Sequence, residues 1–231
     1  MRTSKLIIFN VFATTVLLLV LLFQFSCSNA QEKQTVPPVA EITYDTITDA
    51  DGNAYSVVKI GQQKWIAENL KVTTFDCGDS IEVLFTNGVE RGPDVKFYDN
   101  QPRYAYYDNR PDLGFGVIYN YATITKCSIC PLGYRIPKKS DWETLINNLG
   151  GQEEAGKRLL KEGDSDFNAE LGGRIDGYGS VLSGSFGFWF SQDIVANSGQ
   201  QLVFIFELDY QGTLKLKGQD IRVGNYVRCV Q

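Results

Sequence analysis

The sequence predicts an α+β domain in which strands and turns dominate and two short helices are packed among them. Three observations predict it. Glycine (22 residues) and aromatic side chains (13%) are both plentiful in the 231-residue chain, the pattern of many turns around a β-rich core. The C-terminal third alternates apolar and polar residues over successive runs. One internal stretch, CPLGYRIPKKSDWETL from Cys130 to Leu145, combines a turn, an extended piece and a helical start.

The chain opens outside the fold. MRTSK is short and basic, and Leu6 to Phe25 is apolar apart from Asn10, Thr14, Thr15 and Gln24. A charged start, an apolar run and small residues describe an export signal; a retained membrane helix is the alternative. Cleavage before Cys27 leaves a cysteine ready for lipid attachment, whereas cleavage after Ser28-Asn29-Ala30 discards it. A lone cysteine directly after the apolar run favours the first reading, with residues 1–26 as a lipoprotein signal peptide. Residues 27–41, polar and proline-containing, then form a tether, and residues 42–231 a single domain. The expected location is the outer membrane, lipid-anchored, on its periplasmic or cell-surface face.

Within the domain, Asp51-Gly52-Asn53 is a turn signal between two runs rich in β-branched residues. Ala54 to Ile60 and Lys64 to Ala67 read as strands joined at Gly61-Gln62, with Trp65 on the core side. From Phe75 to Gly116 no helical period survives, and a loop region this long is functional or an insertion. Within it RYAYYDNRPD places Tyr104, Tyr106 and Tyr107 beside Asp108 and Asn109. Aromatic rings interleaved with amide and carboxylate groups suit sugars, although such clusters also serve packing. Val117 to Lys126 reads as a strand or a short helix. Tyr134 to Pro137 is extended, because the residue before proline avoids the helix.

Ser140-Asp141-Trp142-Glu143 has the form of a capping box, serine at the cap and glutamate reaching back. Trp142, Leu145, Ile146 and Leu149 share one helical face, and Gly150-Gly151 ends the helix. A second helix is expected from Glu153 to Lys161. The glycine-rich FNAELGGRIDGYGSVLSGSFGFWFSQD excludes helix and suits tight turns with strand fragments. QLVFIFELDY, TLKLKG and IRVGNYVRCVQ close as an antiparallel meander, with Cys229 on its last strand.

Composition excludes several functions. The chain has no histidine, which removes Ser-His-Asp and Cys-His catalysis and histidine-ligated metal sites. Without the signal, 20 basic residues face 27 acidic ones, a net charge of −7, and no basic stripe suits nucleic acid. Cys77, Cys127, Cys130 and Cys229 remain in an oxidising compartment, where two disulfides are the natural state. Four cysteines allow three pairings. The CxxC spacing of Cys127 and Cys130 also fits a redox pair or half a zinc site, but there is no second CxxC and no βαβ pattern.

DGNAYSVVKIGQQKWIAENL, YAYYDN, GVIYNYATI, CPLGYRIPKKSDWETLINNLGG, AGKRLLK, the glycine-rich segment and NYVRCV occur in this order. Together they resemble the Fibrobacter succinogenes major paralogous domain, common in exported proteins of Bacteroidetes and Fibrobacteres, from about Thr48 to Val230. GYRIPKKSDWETL is also similar to the RLPTEAEWE segment of formylglycine-generating enzymes. That similarity implies a C-type-lectin-like domain: two helices, looped sheets, and first and last strands lying together. It also implies a Cys130–Cys229 bridge from helix to terminal strand, leaving Cys77 with Cys127. The copper-binding cysteines of those enzymes have no counterpart here. Gln101-Pro102-Arg103 lacks the acid of the lectin calcium motif, and Trp189 is followed by Phe190-Ser191, so no metal or cofactor is expected.

The expected function is a non-catalytic binding module for a glycan or another envelope protein. Candidate contacts are Tyr104, Tyr106, Tyr107, Asp108, Asn109 and Trp189, on the 75–116 loops and the Gly177 to Trp189 segment. The alternatives are a glycoside-cleaving enzyme using carboxylates such as Asp108, Asp141, Glu143 or Asp176, or a purely structural surface protein. Mass spectrometry of the mature protein tests the N-terminal reading. The expected result is a diacylglycerol adduct on Cys27, and an unmodified chain starting at Gln31 would contradict it.

Overall fold

The structure, a computed structural model, describes residues 45–84, 100–177, 179–182, 184–197 and 199–231. The signal segment, Cys27 and the tether lie outside the described residues.

Strands β1 (Asp45–Thr48), β2 (Ala54–Ile60) and β3 (Gln63–Ile66) form an antiparallel sheet in that order. The β1–β2 turn is held by Asp49, whose carboxylate accepts the Asp51 and Asn53 N–H groups at 3.0 and 2.9 Å. The same carboxylate accepts the buried Tyr55 hydroxyl at 2.5 Å. Gly61 turns β2 into β3 at φ +62°, and a Cβ there would lie 2.2 Å from the Asn148 side chain. Only glycine lets this turn sit against the end of the following helix.

The 75–116 region holds two short strands, β4 (Glu82–Val83) and β5 (Arg103–Ala105), and two 3₁₀ turns at Tyr107–Asn109 and Pro111–Leu113. Val117 to Lys126 is both a strand and a helix. β6 (Ile118–Tyr119) pairs with β5, and α1 (Tyr121–Lys126) follows at once. α2 (Lys139–Asn148) and α3 (Gln152–Leu159) come next. β7 (Arg174–Ile175) and β8 (Val181–Leu182) form a small hairpin. β9 (Phe186–Asn197), β10 (Gln200–Asp209) and β11 (Leu214–Asp220) form the antiparallel meander, β10 in the middle.

The meander separates two cores. On one side Trp189, Phe206, Leu208 and Leu214 pack with Trp142, Leu145, Ile146 and Leu149 of α2 and with Ala155 and Leu159 of α3. On the other, Phe188, Phe190, Val203 and Ile205 pack with Tyr55, Ile66, Tyr119 and Val227. The alternation along β9 and β10 assigns neighbouring residues to opposite cores, as a sheet covered on both faces requires. Trp142 stacks on Phe206 with ring centroids 4.5 Å apart.

Three expectations are corrected. The helix begins two residues earlier than the serine cap implies, with Lys138 in the extended cap position. Asp141, not Glu143, reaches back, accepting the Lys138 N–H at 2.6 Å. Asp141 also receives both terminal nitrogens of Arg135 at 2.6 and 3.0 Å, and Glu143 pairs with Lys139 one turn away. Pro137 ends the extended segment just before Lys138, so the helix starts as soon as the chain can turn. The second correction concerns Cys229, which lies on no continuous strand. Residues 224–230 make single bridges to several elements: Gly224 to Ile175, Asn225 to Tyr119, Tyr226 to Trp189, and Val230 to both Trp65 and Arg135. The α3 helix also stops at Leu159, two residues short of the expected end.

The C-terminus returns to the opening sheet. Lys64 and Gln231 exchange backbone hydrogen bonds, and Ile66 N–H donates to the Cys229 carbonyl at 3.0 Å. Cys130 and Cys229 are bridged, as are Cys77 and Cys127. The first bridge closes a loop of 99 residues, worth roughly 3–5 kcal/mol by chain entropy.

Burial alone would raise the Asp141 carboxyl, but the Arg135 hydrogen bonds and the Lys138 N–H outweigh it and hold it below its ordinary value of 3.8. A carboxylate depressed in the folded state contributes stability above its unfolded pKa, lost as pH falls through the folded one. Asp141→Asn should therefore cost about 1 kcal/mol at pH 7, the low end for a charged hydrogen bond because Arg135 is half exposed. The gap should close on acidification below about pH 4. Urea unfolding at several pH values checks this, and a pH-independent gap would contradict it.

Candidate functional site

The tyrosines of the 103–112 stretch do not form one platform. Tyr104 and Tyr106 meet edge to face at 5.7 Å and pack against the core that holds Tyr119. Tyr107 packs edge to face on Phe115 at 5.7 Å, against the other core. All three are half-buried, while Asp108 and Asn109 are exposed in left-handed backbone at φ 49° and 55°. Burial raises the Tyr104 hydroxyl pKa, with Tyr106 and Asp51 adding to the effect.

Trp189 is enclosed. It has no exposed surface, its indole N–H donates to Asn69 Oδ1 at 2.6 Å, and Arg228 lies over its ring. It therefore meets no ligand at the surface. Tryptophan in a glycine-rich stretch looks exposed in sequence, but β9 continues through that stretch and turns Trp189 to the helix-side core.

Three of the four carboxylates of the enzyme reading are engaged in separate local structures, and Asp108 is exposed on its 3₁₀ turn. Asp141 serves the α2 cap, Glu143 pairs with Lys139, and Asp176 accepts the Ser180 N–H at 2.8 Å in the β7–β8 turn. Asp76, Cys77 and Cys127 have metal-ligand spacing, but both sulfurs are consumed in the disulfide.

A polar cleft of about 460 Å³ opens where the 100–102 segment meets α1 and the start of β10. Asn120 builds it. This buried residue caps α1, its Oδ1 accepting the Thr123 N–H at 3.0 Å, as asparagine at an N-cap should. The same oxygen accepts the Arg103 N–H at 3.0 Å, and Nδ2 donates to the Gln101 carbonyl at 2.7 Å. One side chain thus ties the 101–103 backbone to the helix start. Asn100, Gln101, Tyr121, Thr125, Lys126 and Gln201 complete the walls. A second cleft of about 380 Å³ adjoins it, sharing Gln201 and Ile221 and bounded by Asp220 and Arg222, which are ion-paired. The lining of the first cleft offers amides, a hydroxyl and the half-buried Tyr121 ring, and no carboxylate among the described residues. Burial raises the Tyr121 hydroxyl pKa, so the phenol stays a neutral hydrogen-bonding group.

Of the expected loop, then, the Asn100 to Pro102 portion reaches the cleft. Asn120 and Tyr121 were not anticipated. The signal for them is an asparagine set directly before a helical segment, which reads as a cap and hides that the cap also shapes a wall.

These features define a disulfide-stapled α+β domain with a polar surface cleft. The chain belongs to the Fibrobacter succinogenes major domain family, whose model matches residues 58–231. No curated protein and no solved structure matches the chain.

Proposed function

We propose that this protein is a non-catalytic binding module of the cell envelope, held to the outer membrane by lipid on Cys27, and that its ligand is a glycan. The observation that carries the reading is the cleft around Asn120. Its amides can each donate and accept, which suits the paired hydroxyls of a sugar ring. Tyr121 supplies an aromatic surface for the apolar face of that ring. Among the described residues the lining offers amides, a hydroxyl and an aromatic ring, groups that suit recognition. Tyr106, Asp108 and Asn109 are secondary candidates at the rim of the same loop region.

We also propose a C-type-lectin-like arrangement. Its support is the meeting of Lys64–Ile66 with Cys229–Gln231 and the Cys130–Cys229 bridge just ahead of α2.

Glycan arrays with the mature chain, followed by calorimetry on the strongest ligand, test the binding reading. Tyr121→Ala should weaken that ligand by about tenfold or more, the worth of roughly one aromatic contact, measured at a temperature where the variant is folded. No glycan signal, or equal affinity in wild type and variant, would contradict the assignment.

A further inference from the structure

The two disulfides differ in their surroundings. Cys130 and Cys229 are 6% and 0% exposed, whereas Cys77 is exposed and Cys127 half-buried. An attacking thiolate must reach a sulfur to exchange with it, so Cys77–Cys127 is the bridge open to attack in the folded protein. An oxygen of Asp76, itself exposed, and the sulfurs of Cys77 and Cys127 lie within 4.8 Å of one another.

More than the bridge holds these residues together. Phe75 N–H donates to the Asp79 carbonyl and Gly78 N–H to the Phe75 carbonyl, both at 2.9 Å, which closes a turn around Asp76 and Cys77. Asp76 N–H donates to the Ser128 carbonyl at 3.0 Å, one residue beyond Cys127. Lys126 Nζ pairs with Asp79 Oδ2 at 2.9 Å and lies over the Phe75 ring at 5.0 Å. Phe75 and Ile129 are both buried, so each cysteine-bearing segment is rooted in the core. Opening the bridge therefore leaves two thiols beside each other and beside a carboxylate, on accessible surface.

That ligand set is selective. Thiolates favour thiophilic cations, and two sulfurs with one carboxylate oxygen suit zinc and cadmium. Tetrahedral zinc, with bonds of about 2.3 Å to sulfur and about 2.0–2.2 Å to oxygen, sets its ligand atoms about 3.6–3.8 Å apart. That spacing falls inside the span of the cluster.

We propose that Asp76, Cys77 and Cys127 form a redox-gated site for a thiophilic divalent cation such as zinc, shut while the disulfide stands and formed when a dithiol reduces it. One thiolate of the dithiol attacks the Cys77 sulfur, makes a mixed disulfide and expels Cys127 as a thiolate, which takes up a proton. The second thiol of the reductant then displaces Cys77 and closes a cyclic disulfide. Two electrons thus pass to the protein, and the reductant is oxidised. The cation takes the place of the two thiol protons, which go to solvent. Both sulfurs and Asp76 hold it, and water completes the tetrahedron. The site is separate from the Asn120 cleft and does not rest on the glycan reading.

Treatment of the mature chain with an immobilised dithiol, then alkylation and mass spectrometry, should label Cys77 and Cys127 and leave Cys130 bridged to Cys229. The reduced, unalkylated chain is titrated with Cd²⁺, whose thiolate complexes absorb in the ultraviolet, and with Zn²⁺ in competition. One cation per reduced chain should bind, and none to the oxidised chain at the same concentrations. Asp76→Asn keeps both cysteines and their bridge, and should weaken Zn²⁺ by about tenfold or more. Failure of the reduced chain to take up either cation, equal uptake by the oxidised chain, or unchanged Zn²⁺ affinity in Asp76→Asn would overturn the site. So would labelling of Cys130 and Cys229 together with the first pair, since reduction would then require unfolding.

Discussion

The last eight residues, Gly224 to Gln231, hold the domain together. They join no single sheet. Instead they bridge β7, β6, β9 and β3 in turn, and the segment before α2. Some of these elements also meet directly, Gly173 with Gly187 and Gln192 with Pro137, but the terminal segment touches all five of them. Arg228 shows how firmly it is held. Its buried guanidinium donates to Asn69 Oδ1 and to the Phe167 and Asn168 carbonyls, and stacks on Phe167 at 4.4 Å. Burial draws its pKa down to about 9, while Glu170 and Glu68 act in the opposite direction. Cys229 adds a covalent tie to the segment that leads into α2.

The cleft inherits its geometry from this thread. Asn225 fixes β6 through two backbone hydrogen bonds to Tyr119, and β6 delivers Asn120 to the start of α1. Asn120 then draws in the 101–103 backbone. A recognition surface made partly of loop is thereby seated on fixed backbone, which lowers the ordering cost of binding. The two disulfides act in the same sense on different parts. Cys77–Cys127 ties the long loop region to the end of α1, and Cys130–Cys229 ties the thread to α2.

Much of the fold was legible because local signals and tertiary packing agree there. Ala54 to Ile60 is a strand with the expected bounds, and the face of Trp142, Leu145, Ile146 and Leu149 is buried as the helical spacing requires. The meander follows from alternation. Three things were hidden, each for a physical reason. NYVRCV has strand composition, yet its hydrogen bonds go to many partners, and composition carries no information on how pairing is shared. SDWE fits a serine cap, but Asp141 gains a second partner in Arg135 and the cap moves. The three tyrosines look like one cluster because they are adjacent in sequence. Tyr106 and Tyr107 straddle the entry to a 3₁₀ turn and are sent to opposite cores. The cleft itself depends on Asn120 meeting Gln101, a contact set by the pairing of β5 with β6, and that pairing is not written locally.

Native-state hydrogen exchange on the oxidised protein measures the central claim most directly. The amides of Asn225, Tyr226 and Val230 should exchange only through global unfolding, in the slowest class and with the same denaturant dependence as Phe206 in the middle of β10. Exchange of these three by local opening, at free energies well below that of Phe206, would show that the terminal segment docks on an already self-sufficient domain and does not hold it together.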